Sequence, residues 1–302
     1  MNINIDPEMG KKAARHLYDS FNTKGIHGRN DIPEDALPKG VERGSLDHIL
    51  FITFTVSIDY MRDANSLWEA SRKTFEDPLT RYLFQPSELY RKSLQQIIAD
   101  MQVHKLSKKK TQDAIRWRKI GITLYEKWDG DPRNFLASCG WDNLVVLRRL
   151  QIDSHLENGL IMHDFPFLKG PKIGPLWLRM LRDNIGITHL NKFDEVPIPV
   201  DSHVARATLS LGIVRGKYQG NLGDLFPFIR KAWFESVKGL FADGLPMIAL
   251  DLDEPLSHLS KYGCTFRDKI TGECLVFYRC EMKDFCIPGK IDISNDYLEL
   301  DT

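Results

Sequence analysis

No stretch of this chain is apolar for the roughly 20 residues that a membrane-spanning helix requires. The opening MNINIDPEMGKK also lacks the hydrophobic segment of an export signal. A cytoplasmic location, or a nuclear one in a eukaryote, is expected, with no membrane partner. Net charge is lacking too, because 41 Lys and Arg are balanced by 41 Asp and Glu. No global positive field is therefore available, and any polyanion must be held by a local patch and by backbone groups. There are no internal repeats and no low-complexity segments. Sustained alternation of apolar and polar residues is scarce, which argues against a sheet-based architecture.

What is present suits a globular protein of one or two domains, with 302 residues of which 42% are hydrophobic. Apolar residues recur at spacings of three and four, as in Leu46, Ile49, Leu50 and Phe54, so the fold is expected to be all-α. The spacing predicts helices over 7–22, 45–58, 63–76, 87–102, 107–128, 131–138, 141–150, 154–163, 175–184, 202–212, 221–239 and 244–260. Residues 23–44, rich in Gly, Pro and charge, read as a linker or wrapped arm. At 191–200, NKFDEVPIPV, two prolines force an extended path. The expected division is a central helical domain over 45–198, with 1–44 and 199–302 forming a second lobe.

Charge is unevenly spread. Residues 105–119, KLSKKKTQDAIRWRK, hold seven Lys or Arg against one Asp and read as a solvated helix face or a phosphate contact. Residues 281–302 hold six acids against two Lys and read as a solvated tail.

Three features carry chemistry. First, KGPKIGPLWLRML at 169–181 sets a Gly and Pro turn before an apolar helix, with Pro175 expected at the first helical position. Such a junction directs backbone N–H groups outward, which suits a nucleic-acid phosphate. Second, VPIPVDSHVAR places Asp201 between a stiff loop and a helix that it or Ser202 would cap. Third, of five cysteines, Cys139 stands alone and reads as a small buried hydrophobe, whereas Cys264, Cys274, Cys280 and Cys286 form C-x9-C-x5-C-x5-C. In a reducing compartment four clustered thiols point to metal. Structural zinc usually draws on C-x2-C knuckles, which are missing, so an iron–sulfur cluster, [4Fe-4S], is the expected cofactor and zinc the alternative.

In this order the features resemble the helix-hairpin-helix DNA glycosylase superfamily, in its endonuclease III-like branch with a C-terminal iron–sulfur loop. The matching residues are PKIGPLWLRML, VDSHVAR, WDGDP at 128–132 and the four cysteines, within residues 45–290. The resemblance implies a two-lobed helical fold that binds double-stranded DNA as a monomer. A damaged or modified base would be flipped from the duplex into a pocket between the lobes and its N-glycosidic bond cut. Asp201 falls on the family's catalytic aspartate, which stabilises the cationic sugar or activates water. Gly170, Lys172, Ile173 and Gly174 fall on its phosphate-binding hairpin.

Asp59, Tyr60 and Met61, in the turn after the helix at 45–58, fall where the base pocket and wedge are expected. Members that also nick the strand carry a Lys two residues after the second hairpin glycine, to form a Schiff base. Here that residue is Leu176, so a glycosylase without lyase activity is expected. Lys172 stands where the family has its first hairpin glycine, unless Gly170 substitutes, and the cysteine spacing is longer than endonuclease III's. These departures suggest a distant branch with a substrate of its own: a modified pyrimidine, met in repair or in defence against phage, stands beside uracil and alkylated or oxidised bases. The competing readings are a non-catalytic DNA-binding protein with the same cluster and an N-glycosylase of free nucleotides.

Overall fold

The computed structural model describes residues 2–302 except Lys24, Ile26, His27, Arg29, Asn30, Asp31, Met61, Asn158, Gly159 and Ile270, and the side chains of Glu157 and Leu160. Its contacts divide into two compact units, one of Met1–Asn30 with Phe193–Thr302 and one of Asp31–Lys192.

The chain enters the first unit as strand β1 (Asn2–Ile5) and helix α1 (Pro7–Asn22). It then builds the second unit from α2 (Leu46–Val56), α3 (Ala64–Glu76), α4 (Pro86–Arg91), α5 (Leu94–Val103), α6 (Lys110–Trp128), α7 (Pro132–Ser138) and α8 (Asn143–Ile152). A hairpin of β2 (Ser154–Glu157) and β3 (Leu160–His163) and the helix α9 (Ile173–Met180) complete it. Side chains of Ser45, Asp63, Ser93, Asp131 and Asp142 each accept a first-turn amide, and so fix where α2, α3, α5, α7 and α8 begin. Ser93 also explains why 87–102 is two helices, since its hydroxyl accepts from the Gln96 amide at 3.2 Å and starts a new axis.

Helix α2 is the centre of this unit, buried at every residue from His48 to Val56. Around it Phe51, Phe54, Trp68, Phe75, Phe84 and Trp117 pack ring against ring, with Phe54 stacked on Trp117 at 5.0 Å. Trp177 of α9 donates its indole N–H to Thr53 Oγ1 at 3.0 Å, which pins α9 to α2.

His48 introduces an acid-sensitive point into that core. Its Nδ1 accepts from the Gly44 amide at 3.1 Å, so the proton sits on Nε2, which is buried without a hydrogen-bond partner. Burial, helped by the Arg43 charge, lowers its pKa to about 4. The unfolded chain takes up this proton near pH 6.5 and the folded one only near 4. The stabilisation from a neutral His48 is therefore complete above pH 6.5 and lost as pH falls toward 4, by on the order of 2 kcal/mol. Urea unfolding at pH 7 and pH 4.5 should show that loss, and a His48→Gln variant should show a smaller one.

The first unit resumes with α10 (Ser202–Ser210), β4 (Val214–Asn221), α11 (Phe226–Ser236), the short pair β5 (Phe241–Ala242) and β6 (Leu245–Pro246), and α12 (Asp253–Tyr262). It ends in a hairpin of β7 (Lys290–Ser294) and β8 (Tyr297–Asp301). Its core joins α1, α10, α11 and α12, and Trp233 donates to Thr208 Oγ1 at 2.8 Å within it. The predicted helices over 221–239 and 244–260 shorten to α11 and α12, each preceded by a 3-10 turn.

Helices carry the fold, as the periodicity predicts, but two stretches differ. Residues 281–302 are no solvated tail. Ile291, Ile293, Leu298 and Leu300 alternate inward, all under 9% exposed, and β7 and β8 extend a four-stranded antiparallel sheet in the order β1-β4-β8-β7. Gly216 permits the β1 pairing, because a Cβ there would lie 2.1 Å from the Asn2 carbonyl oxygen. Residues 154–163 are no helix but the β2–β3 hairpin, with His155 opposite Met162. Asn158-Gly159 between two short apolar runs is the sequence signal for such a hairpin.

Candidate functional site

The turn before α9 is built by close backbone approach. The Gly170 amide donates to Phe167 O at 2.9 Å, Gly174 to Gly170 O at 3.0 Å and Leu176 to Lys172 O at 3.1 Å. A Cβ on Gly174 would lie 2.8 Å from Leu168 O and 3.0 Å from Leu147 Cδ2, so only glycine lets the turn rest on α8. The unit is thus α8, turn, α9, with the β2–β3 hairpin inserted where a helix was expected. Pro175 stands third in α9 rather than first, still within the first turn, where its missing N–H costs no bond. Both glycine amides are spent inside the turn. The helical ladder itself gives the Ile173 amide, at the start of α9, no acceptor. Leu176, in the position of the family's lysine, is 6% exposed in the apolar packing.

Asp201 lies in the other unit. Val196, Ile198 and Val200 alternate with Pro197 and Pro199 and are each no more than 1% exposed, so the loop is stiff and anchored by its side chains. At its end Asp201 caps α10, its Oδ1 accepting from the His203 amide at 2.9 Å and the Val204 amide at 3.1 Å. His203 Nδ1 and Arg206 Nη1 both approach Ser260 Oγ at 3.3 Å, so these two side chains brace α10 against α12. Burial lowers the Arg206 pKa, with the Cys264 and Asp201 charges opposing.

Of the pocket and wedge candidates, Met61 lies outside the described residues. Asp59 follows the end of α2, its amide donating to Val56 O at 3.0 Å. Tyr60 is half-buried and donates its hydroxyl to Asp113 Oδ1 at 2.5 Å. Its ring packs 4.7 Å from Phe167, which has the Arg116 guanidinium 3.8 Å away. Burial, then the Asp113 hydrogen bond, raise the Tyr60 pKa well above the usual phenol. Phe167 holds φ at +73°, an unusual backbone for a bulky residue. Composition and periodicity gave no sign of this Tyr60, Phe167 and Arg116 ladder. Only the basic run at 105–119 pointed to its cationic end.

The four clustered cysteines line one cavity with Ser210, Gly263, Arg267 and Phe277. Arg267 straps the loop by donating Nη2 to Ile287 O at 2.7 Å and Gly289 O at 2.9 Å, while its Nε is buried without a hydrogen-bond partner. Burial raises the Cys264 and Cys280 thiols and pushes Cys286 up to about 11. Among the described residues no group of three or more His, Cys, Asp or Glu side chains draws together as a site for a metal ion. Cys139 is buried and separate, as expected.

No family model and no curated protein matches the chain. Solved structures do, two endonuclease III–DNA complexes among them. One is a trapped endonuclease III–DNA covalent intermediate in an estranged-adenine complex, with TM-score 0.50, 15% identity and coverage of 91% of this chain and 97% of that one. The other is a non-covalent endonuclease III–DNA complex, with TM-score 0.51, 14% identity and coverage of 91% and 94%. At such identities the likeness bears on architecture: the chain has the helix-hairpin-helix fold of endonuclease III.

Proposed function

We propose that the protein is a DNA glycosylase that hydrolyses the N-glycosidic bond of a damaged or modified base and leaves an abasic site. The observation that carries this reading is the fold shared over 91% of the chain with a protein solved on DNA. Asp201 supplies the carboxylate. With Oδ1 fixed by two amides, it needs little reorganisation to stabilise the cationic sugar as the base departs, or to take a proton from the attacking water. Lys172 and Ile173 grip a backbone phosphate on the turn that Gly170 and Gly174 shape, and Asp59, Tyr60 and Met61 contribute to the base pocket. A modified pyrimidine, in repair or phage defence, is the substrate class we favour, with the protein acting as a monomer in the cytoplasm or nucleus.

Endonuclease III has been trapped as a covalent DNA intermediate. This chain has Leu176 where the family's lyases have their lysine, so water rather than an amine attacks the sugar. Borohydride treatment during turnover should trap no protein–DNA adduct. An adduct would overturn the monofunctional reading, and Lys169→Ala and Lys172→Ala would then identify its source.

Cys264, Cys274, Cys280 and Cys286 fit a [4Fe-4S] cluster better than zinc. All four line one cavity, and their spacing, C-x9-C-x5-C-x5-C, lacks the C-x2-C knuckles usual for structural zinc. The half-buried Arg267, which lines the same cavity, complements an anionic thiolate cluster. When bound, such a group staples the loop after α12 and supplies no step of the hydrolysis. Anaerobically purified protein should hold four iron and four acid-labile sulfide per chain, and Cys280→Ser should lose both. Stoichiometric zinc without sulfide would decide for the alternative.

A further inference from the structure

An open cleft of about 400 Å³ lies in the Asp31–Lys192 unit, among α6, β3 and the turn leading to α9. That volume is in the range of small-molecule sites. Its apolar walls are Ile115, Ile161, Met162 and Pro166, and its polar groups are Arg116, Lys119, His163 and Lys169. No acidic residue lines it. Two acids on the elements that form it are buried and committed, Asp113 to Tyr60 and Ser107, and Asp164 to Lys127 and His155. In a chain with no net charge, the cleft is thus a local positive patch.

Arg116 and Lys119 are each held in place. Arg116 ends the ladder that runs from Tyr60 through Phe167, its guanidinium carbon lying over the Phe167 ring at 3.8 Å from the centroid. A guanidinium so held presents a planar face on which a base can stack. Lys119 Nζ is 2.8 Å from His155 Nε2, and His155 Nδ1 is 3.2 Å from Asp164 Oδ1. His155 therefore accepts from Lys119 and donates to Asp164, which aims the ammonium. His163 Nδ1 is buried without a hydrogen-bond partner. The strained Phe167 backbone, at φ +73°, holds the ladder's middle ring.

Cations beside a planar stacking face and apolar walls match a ligand that is both anionic and flat. We propose that this cleft binds one nucleotide, with its base against Arg116 and the apolar wall and its phosphate on Lys119 and Lys169. The ligand is either an unpaired nucleotide within a DNA strand or a free nucleotide. The cleft is lined by β3 of the inserted hairpin and holds no residue of the Asp201 loop, so its occupancy is tested apart from glycosidic activity.

Calorimetric titration of the full chain with dTMP, thymidine, inorganic phosphate and a six-residue oligothymidylate tests this. Thymidine and phosphate alone should each bind at least about tenfold more weakly than dTMP, because each lacks half of the recognised chemistry. Ile161 is 68% exposed, so Ile161→Glu leaves the fold intact while placing a negative charge in the cleft. It should weaken dTMP by about tenfold or more, as should Arg116→Gln, with unchanged melting temperature for Ile161→Glu. Oligonucleotide binding tighter than dTMP by about tenfold would assign the site to a DNA strand, and equal affinities to the free nucleotide. No binding of either, or binding that survives Ile161→Glu, overturns the proposal.

Discussion

Replacing Asp201 by Asn should abolish base release while leaving the protein folded. Asn is as good an N-cap as Asp, so the two bonds from the His203 and Val204 amides can persist on its side-chain oxygen. What is lost is the negative charge. Removing one preorganised electrostatic group typically costs a hundred- to a thousandfold in rate, and a carboxylate that also handles the proton of water should lie at the upper end, about a thousandfold. Single-turnover base release and thermal melting measure the two halves of this expectation. A rate within tenfold of wild type would reduce Asp201 to a helix cap.

Glu34→Ala should be among the most destabilising single changes in the chain. Glu34 lies in a 3-10 turn (Pro33–Asp35), where Oε1 accepts from Arg179 Nη2 at 2.7 Å, with the two side chains 9% and 2% exposed. Asp35 beside it accepts from Asn184 Nδ2 at 2.7 Å, and Arg43 Nε donates to Asn184 O at 2.8 Å. These bonds tie residues 33–43 to α9 and the turn after it. Truncation would leave the Arg179 charge buried without its carboxylate, which costs about 3–5 kcal/mol. A fall in melting temperature of about 10 °C follows for a chain of this size. The double variant Glu34→Ala/Arg179→Met should recover most of that loss, since replacing both charges by apolar groups is often neutral. If it melts no higher than the single variant, the pair is not the source of the effect.

Glu34 also illustrates what could be read from the sequence. A segment rich in Gly, Pro and charge reads as a linker, because local composition reports the absence of helix and is silent on distant partners. Helices with strong periodicity and a capping side chain were legible, and α1 matches its predicted span residue for residue. The β7–β8 hairpin was not: its acids dominate composition, while the alternation that buries Ile291, Ile293, Leu298 and Leu300 is only two short runs long. The β2–β3 hairpin was masked by apolar residues that also satisfy a helical spacing, despite Asn158-Gly159.

For the site, residue type and spacing pointed to metal at the four cysteines, while Asp201 and the α9 turn took their roles from the resemblance to the glycosylase family. The cleft residues Arg116, His163 and Phe167 were invisible, because only folding brings α6, β3 and the turn together.

The glycosylase reading is most exposed to a base-release assay. The purified protein would be incubated with duplexes that each carry one damaged or modified base, and the products scored for free base and for strand breaks before and after alkali. Release of one base, with breaks only after alkali, is the expected result and would name the substrate. No release from any duplex, alongside salt-sensitive DNA binding, would contradict it and leave a DNA-binding protein that keeps the fold without the chemistry.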